Sequence, residues 1–288
     1  MIKSINYWTI GGFDCGKPVV QAMREAKDMG YEAIELCFGA GDLSAGVTEV
    51  KCREFVREAK AIGIKISSLC SGTYWDVSLS SPNKDVQDKA IAYTKEYLQV
   101  ARRLEVDAVL VIPGVVDVGW NPAAPVVPYR EVWINATKAI KRLIPTAKNL
   151  RVVMCIENVW NKFLLGPMEM KAFIDQFKSP YVGSYFDVGN VLITGYPEHW
   201  IEILGRRIKR VHLKNFQRQD AGGVLHGFGD DILQGSINWP AVVKALKKIK
   251  YNGFVTAEMI PFSRLPDLVL PDMDLARKTA GQLKTIFG

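Results

Sequence analysis

The amino-acid sequence predicts an α/β protein folded as one (β/α)8 barrel over residues 1–288. Three observations lead there. Short apolar runs alternate with amphipathic segments eight times along the chain, and strict alternation of this kind argues a parallel sheet. The runs are almost continuously apolar, as parallel strands are when both faces are covered. The connections after strands are longer than those after helices, as they are where one rim of a barrel carries the chemistry. A chain of 288 residues has the length for such a barrel, which commonly takes roughly 250. No Gly-x-Gly-x-x-Gly follows the first strand, which removes the main signature of an open dinucleotide-binding sheet.

The elements follow in order. Ile5–Trp8 is the first expected strand. Val19–Met29 is amphipathic, breaks at Gly30 and leads to a strand over Tyr31–Leu36. Val50–Ile62 breaks at Gly63 and leads to Ile64–Leu69. In Asp85–Leu104, residues Val86, Ala90, Tyr93, Tyr97, Val100 and Leu104 step by three or four and share one helical face, and strand Asp107–Ile112 follows. Tyr129–Leu143 leads to Val152–Glu157, Pro167–Phe177 to Val182–Asp187, and His199–Leu204 to Ile208–His212. Trp239–Ile249 sets Trp239, Val242, Val243, Leu246 and Ile249 on one face. Phe254–Glu258 is the eighth strand and Leu275–Phe287 the closing helix. The long connections 39–47, 72–84, 113–128 and 214–238 all fall on the rim at the strand carboxyl ends. They carry Trp75, Trp120, Phe216, Arg218, His226 and Trp239. No internal linker divides the chain.

Apolar content of 48% and charged content of 23% are those of an ordinary globular protein. The net charge of +7 is scattered, with Lys247-Lys248 and Arg206-Arg207 as the densest pairs. Without a basic arm or block, a small anionic ligand is at least as compatible as nucleic acid. The cysteines, five in number, include no Cys-x-x-Cys pair, and Cys37, Cys70 and Cys155 fall in or beside apolar strands, so buried reduced thiols are expected. The chain begins directly on a strand, and no run approaches the roughly 18 apolar residues of a membrane span. A cytoplasmic enzyme with no membrane contact is the expectation.

Four residues carry the functional reading. Glu157, Asp187, His212 and Glu258 each close an apolar run, and in a parallel barrel those ends converge on one mouth. Singly, an acid at a strand end caps the next helix or pairs with arginine, and a lone histidine is more often a core or rim residue. Four metal-type ligands at equivalent positions make coincidence the weaker account. Glu35, at the end of the second strand, is a further acid on that rim and is expected to support rather than ligate. Three carboxylates and an imidazole, with no thiolate, suit an octahedral divalent ion with open positions: Mn²⁺ first, Mg²⁺ or Co²⁺ next, and a closed tetrahedral Zn²⁺ site least. Such an ion, chelated by a carbonyl and a neighbouring hydroxyl oxygen, acidifies the carbon-bound proton between them and stabilises the resulting enediolate. Glu157 and Glu258 are the candidate proton-transfer pair.

At these residues the chain resembles the xylose isomerase-like TIM-barrel superfamily of sugar and sugar-phosphate isomerases and epimerases. The likeness is densest at Ile156-Glu157-Asn158, Phe186-Asp187-Val188-Gly189-Asn190, Val211-His212-Leu213-Lys214 and Gly253 to Glu258, with Leu233 to Pro240 similar to the family's glycine-bearing segment before the last crossover helix. Within it the chain looks most like the ketose and ketose-phosphate 3-epimerases. The resemblance implies metal ligation by Glu157, Asp187, His212 and Glu258, proton transfer by the two glutamates, and Arg218, six residues after the histidine, on substrate oxygens. It also implies a homodimer or homotetramer. Two departures bear on the substrate: Asn190 stands where free-ketose enzymes have a histidine, as in the pentulose-phosphate branch, and Leu164 replaces a second acid. Lys162, Lys214 and Arg218 offer charge for a phosphate, although exposure to solvent is the commoner fate of a lysine. Trp8, Trp75 and Trp160 are candidate walls for a sugar, with core packing the equal alternative for Trp8. The expected partner is thus a small sugar or sugar phosphate, and not nucleic acid. The alternative is a lyase, dehydratase or isomerase of an inosose-type cyclic keto-polyol. Phosphodiester cleavage at abasic DNA sites, known in a related barrel family, calls for more histidines than His199, His212 and His226. A non-catalytic sugar-binding barrel would be marked by a missing ligand, and none is missing.

Overall fold

A computed structural model describes residues 1–119, 121, 123–219 and 224–288. Trp120 lies outside the described residues. The chain runs β1 (Ile2–Asn6), α1 (Tyr7–Gly11), α2 (Val19–Asp28), β2 (Ala33–Cys37), α3 (Glu49–Ile62), β3 (Lys65–Cys70), α4 (Lys84–Arg103), β4 (Ala108–Val111), α5 (Tyr129–Leu150), β5 (Val153–Glu157), α6 (Pro167–Asp175), β6 (Val182–Asp187), α7 (Pro197–Leu204) and β7 (Ile208–Leu213). A hairpin of β8 (Gln217–Gln219) and β9 (Val224–His226) precedes α8 (Trp239–Lys248), β10 (Phe254–Ala257) and α9 (Met273–Phe287). Among the described residues, eight parallel strands close in the order β1-β10-β7-β6-β5-β4-β3-β2, so strands consecutive in the barrel are neighbours around it and the last returns to the first. This is the (β/α)8 barrel expected from the alternation.

α3, α4, α8 and α9 start where a side chain satisfies free backbone amides of the first turn. Thr48 caps α3 at the Lys51 amide, Asn83 caps α4, Asn238 caps α8 and Asp272 caps α9. Gly63, at φ +75°, ends α3 in the left-handed conformation that glycine adopts without steric cost. The apolar faces of the helices cover the sheet, and most barrel-strand residues are buried.

Three differences from the expected elements have physical causes. The first strand is Ile2–Asn6, not Ile5–Trp8, because Asn6 turns the chain: its Oδ1 accepts the Trp8 amide at 2.8 Å and starts α1. Trp8 therefore leaves the sheet and stands at the rim. The helix expected to end at Leu143 continues to Leu150 through Pro145. A proline inside a helix loses one hydrogen bond, and here Ala139, Ile140, Leu143 and Ala147 stay buried on one continuous face that offsets it. The long connection after β7 contains the β8–β9 hairpin, which the irregular sequence from Gln217 to His226 did not announce. Among the described residues, no helix is long and apolar enough to cross a membrane.

Candidate metal centre

Strand register assembles the mouth. Asp187 pairs with His212 across β6 and β7, and Glu157 pairs with Tyr185, one pleat below Asp187. Ala257 pairs with Leu213, and Glu258, one residue beyond β10, still donates its amide to the Leu213 carbonyl at 2.9 Å. The four residues thus stand on four adjoining strands, with Glu157 and Glu258 at the ends of the arc and Asp187 and His212 between them. One donor atom from each lies within 4.8 Å of every other. Among the described residues this is the one such cluster of three or more metal-type side chains; His199 packs beside the Tyr196 ring and His226 stands on the hairpin, and neither joins it.

Asp187 and His212 are held from behind. Asp187 Oδ1 accepts the amides of Gly189 and Asn190 at 2.8 and 2.7 Å, which leaves Oδ2 aimed at the cluster. Asn158, the residue after β5, fixes the Asp187 backbone: its Oδ1 accepts the Asp187 amide at 2.9 Å and its Nδ2 donates to the Asp187 carbonyl at 2.8 Å. Asn190 in turn donates to the Asn158 carbonyl at 3.0 Å. His212 presents Nδ1 to the carboxylates, 3.3 Å from Glu157 Oε1, 3.5 Å from Glu258 Oε2 and 3.9 Å from Asp187 Oδ2. Its Nε2 meets Glu35 Oε2 at 2.7 Å. With Glu35 ionised, that contact calls for a proton on Nε2 and would leave Nδ1 to ligate an ion once its own proton is displaced, the usual carboxylate–histidine support of a metal site. Glu35 is fully buried and is held by Asn6 Nδ2 at 2.6 Å, by Ser68 Oγ at 2.8 Å and by the Tyr185 hydroxyl.

The electrostatics of the cluster favour a cation. Burial, reinforced by the Glu258 charge, pushes the Glu157 carboxyl up to about 7 against the pull of His212. Burial likewise raises Asp187, opposed by Lys214. Burial works against charge on His212, yet the Glu35 and Glu258 carboxylates hold it well above its usual range. Glu35 behaves in the opposite sense: burial would raise it, but His212 and the hydrogen bonds from Tyr185 and Asn6 hold it below the ordinary range. Asp187 Oδ2 accepts no aligned hydrogen bond, although the Lys214 ammonium lies 2.8 Å away. A buried carboxylate oxygen without an aligned donor, beside an imidazole nitrogen and two more carboxylates, fits a hard or borderline divalent ion.

The other candidate residues are scattered around this centre. Trp160, half-buried, donates from Nε1 to the Asn190 carbonyl at 3.1 Å and packs against Phe228 and Phe216, with ring centroids 4.8 and 5.5 Å away. Trp8 packs beside Phe13 at 5.9 Å, and Trp75 ends a 3-10 turn, Thr73–Trp75, after β3. Arg218 lies on β8 with its guanidinium 4.8 Å from the Tyr196 ring centroid and 3.2 Å from the Gly195 carbonyl, so the hairpin directs it to the connection after β6. Lys162 is an exposed residue paired with Asp117. Lys214 departs from the common fate of lysines: it is buried and contacts Asp187 and Glu258. Lys214, Asn158 and Tyr185 are the supporting residues that sequence reasoning missed. For Lys214 the signal was its spacing of two from His212, which sets both on one face of an extended chain.

Residues 23–285 match the protein family described as xylose isomerase-like TIM barrel. An uncharacterised protein of Methanocaldococcus jannaschii is 24% identical over 192 residues, covering 64% of this chain and 61% of that protein, so the matched chain spans about three fifths of that curated relative. Among solved structures, a D-psicose 3-epimerase with D-tagatose from Clostridium cellulolyticum H10 superposes with a TM-score of 0.79 at 18% identity, covering 99% of this chain and 98% of that one. An L-ribulose 3-epimerase gives 0.78 at 18%, covering 99% and 94%. The IolI protein with a bound zinc atom gives 0.76 at 17%, covering 99% and 97%. At these identities the likeness is one of fold.

Proposed function

The chain belongs to the xylose isomerase-like TIM barrel family, and we propose that it is a divalent-metal-dependent epimerase or isomerase of a ketose or ketose phosphate. The observation that carries this reading is the cluster of one imidazole and three carboxylates, all within 4.8 Å, at the carboxyl ends of adjoining barrel strands. Glu157, Asp187, His212 and Glu258 would hold the ion, and the oxygen-rich set favours Mn²⁺, with the zinc of IolI marking the chief rival. When bound, the ion supplies Lewis acidity that polarises a substrate carbonyl. Glu157 and Glu258, at opposite ends of the arc, take the two faces of the substrate. One removes the proton from the carbon beside the carbonyl, which leaves an enediolate. The other delivers a proton to the opposite face, and the configuration at that carbon inverts. The short Glu35 contact keeps His212 in one tautomer, and the Asn158 clamp keeps Asp187 at its post. Trp8, Trp75 and Trp160 line the rim against the apolar face of a sugar, and Asn190 and Arg218 approach from the connection after β6 and the hairpin. The ketose 3-epimerases of like fold support the substrate class.

The test is solvent exchange. Metal-loaded protein in D₂O should place deuterium beside the carbonyl of its ketose, and Glu157→Gln and Glu258→Gln should each abolish that exchange while the protein stays folded. Full exchange in either variant would remove the assignment. A product lighter by one water, formed from an inosose-type polyol, would assign a dehydratase instead.

A further inference from the structure

His212 and Lys214 point to the same side of the extended chain, and the lysine reaches the carboxylates that the imidazole faces. The Lys214 ammonium lies 2.8 Å from Asp187 Oδ2 and directly against Glu258 Oε2. These are the same two oxygens that stand 3.9 and 3.5 Å from His212 Nδ1. The lysine side chain is only 9% exposed. Space for it is made by Gly189, where a Cβ would come within 2.4 Å of Lys214 Cγ, so a larger residue at 189 would push the lysine aside. An ammonium withdrawn from water is costly unless carboxylates face it, and here two do.

We propose that Lys214 is a built-in counter-cation of the metal centre, which shares Asp187 and Glu258 with the divalent ion and thereby weakens the ion's hold. This rests on the metal reading above. Glu157, Asp187 and Glu258 bring three carboxyl groups together, and the Lys214 charge already opposes that of Asp187 and Glu258 before any ion arrives. An entering ion finds two of its oxygens already claimed and must share or displace the ammonium. The same contact steadies the two buried carboxylates it touches when the ion is away. A lysine serving to grip a substrate phosphate would have to abandon both carboxylates, whereas the exposed Lys162 is paired only with Asp117.

The experiment is a titration of metal-free protein with Mn²⁺, alongside thermal melting with and without the ion, on wild type, Lys214→Met and Lys214→Arg. Lys214→Met keeps the length of the side chain and removes its charge. Its Mn²⁺ Kd should be at least about tenfold lower than that of wild type, since one unit charge beside the ion is removed. Its ion-free melting point should fall below that of wild type, and Mn²⁺ should raise it by more. Lys214→Arg, which keeps the charge, should bind with nearly wild-type affinity. A lysine that merely propped the loop would give looser binding on removal, so equal or weaker Mn²⁺ binding by Lys214→Met overturns the proposal, as does equal tightening in Lys214→Arg. Should Lys214→Met fold only with metal, graded chelator competition on the loaded variant reads the same affinity. Absence of Mn²⁺ binding in wild type as well would overturn the metal reading itself, which separates the two failures.

Discussion

Replacing Glu35 by glutamine keeps the shape behind His212 and removes its charge. Glu35 Oε2 lies 2.7 Å from His212 Nε2, on the side of the ring opposite the cluster. Above pH 7, where Glu157 is mostly ionised, ion binding brings two positive charges to the Nδ1 side and releases one proton, that of His212, so one net positive charge is gained. The Glu35 carboxylate favours that gain. Across roughly 7 Å at an effective dielectric near 20, one unit charge is worth about 2.4 kcal/mol, or about 50-fold in affinity, within the roughly 10–100-fold usual when a ligand's support is lost. The Ser68 and Tyr185 hydroxyls that now donate to Oε1 are able to turn and accept from the new amide. The cost in stability is therefore the smaller effect, about 1 kcal/mol. Calorimetric titration of metal-free Glu35→Gln with Mn²⁺, on protein shown to be folded by circular dichroism, reads the difference. An unchanged Kd would refute the claim that Glu35 tunes His212 for the ion.

Treatment with a chelator should abolish turnover and lower the melting point, and Mn²⁺ should restore both; activity that survives complete metal removal contradicts the metal-dependent reading. Asn158→Leu strips partners from the buried amide and carbonyl of Asp187. It should cost about 3 kcal/mol and lower Tm by roughly 5–10 °C, with weakened Mn²⁺ binding, whereas an unaltered melt would show that the clamp is dispensable. Gly235 sits at φ +145°, where an added Cβ would lie 2.4 Å from Asn215 Oδ1 and 2.5 Å from the Phe216 carbonyl. Gly235→Ala should therefore destabilise by at least about 2 kcal/mol, read from chemical denaturation; a wild-type midpoint would mean that the loop before α8 relaxes freely.

The barrel was legible because its signals are local and repeated. Each buried strand is a short apolar run, and Glu157, Asp187 and His212 interrupt such runs at their ends, where a charge is conspicuous. Glu258 was visible for the same reason, although it sits one residue beyond β10. What the sequence concealed depends on contacts between distant segments. Glu35 was recognised as a rim acid, but its hold on His212 is made across 177 positions of the chain. Tyr185 read as strand filling until the register brought its hydroxyl to Glu35. Lys214 was masked by the general preference of lysine for solvent, which two buried carboxylates override. Asn6 looked like one more strand residue, and only its cap on the Trp8 amide reveals that the chain turns there. The helix expected to end at Leu143 runs on past Pro145 because tertiary packing buries its continued face. Arg218 was placed by analogy on substrate oxygens, and the hairpin that carries it is not encoded by any local pattern of strand residues.

The central claim is that Glu157, Asp187, His212 and Glu258 bind one divalent ion at the mouth of the barrel. Crystals grown with Mn²⁺ and measured at the manganese absorption edge test it most directly. The anomalous difference map should show a single strong peak at bonding distance from all four side chains, with Glu35 still on His212 Nε2. A map with no peak there, or with its peak ligated by other residues, would contradict the account.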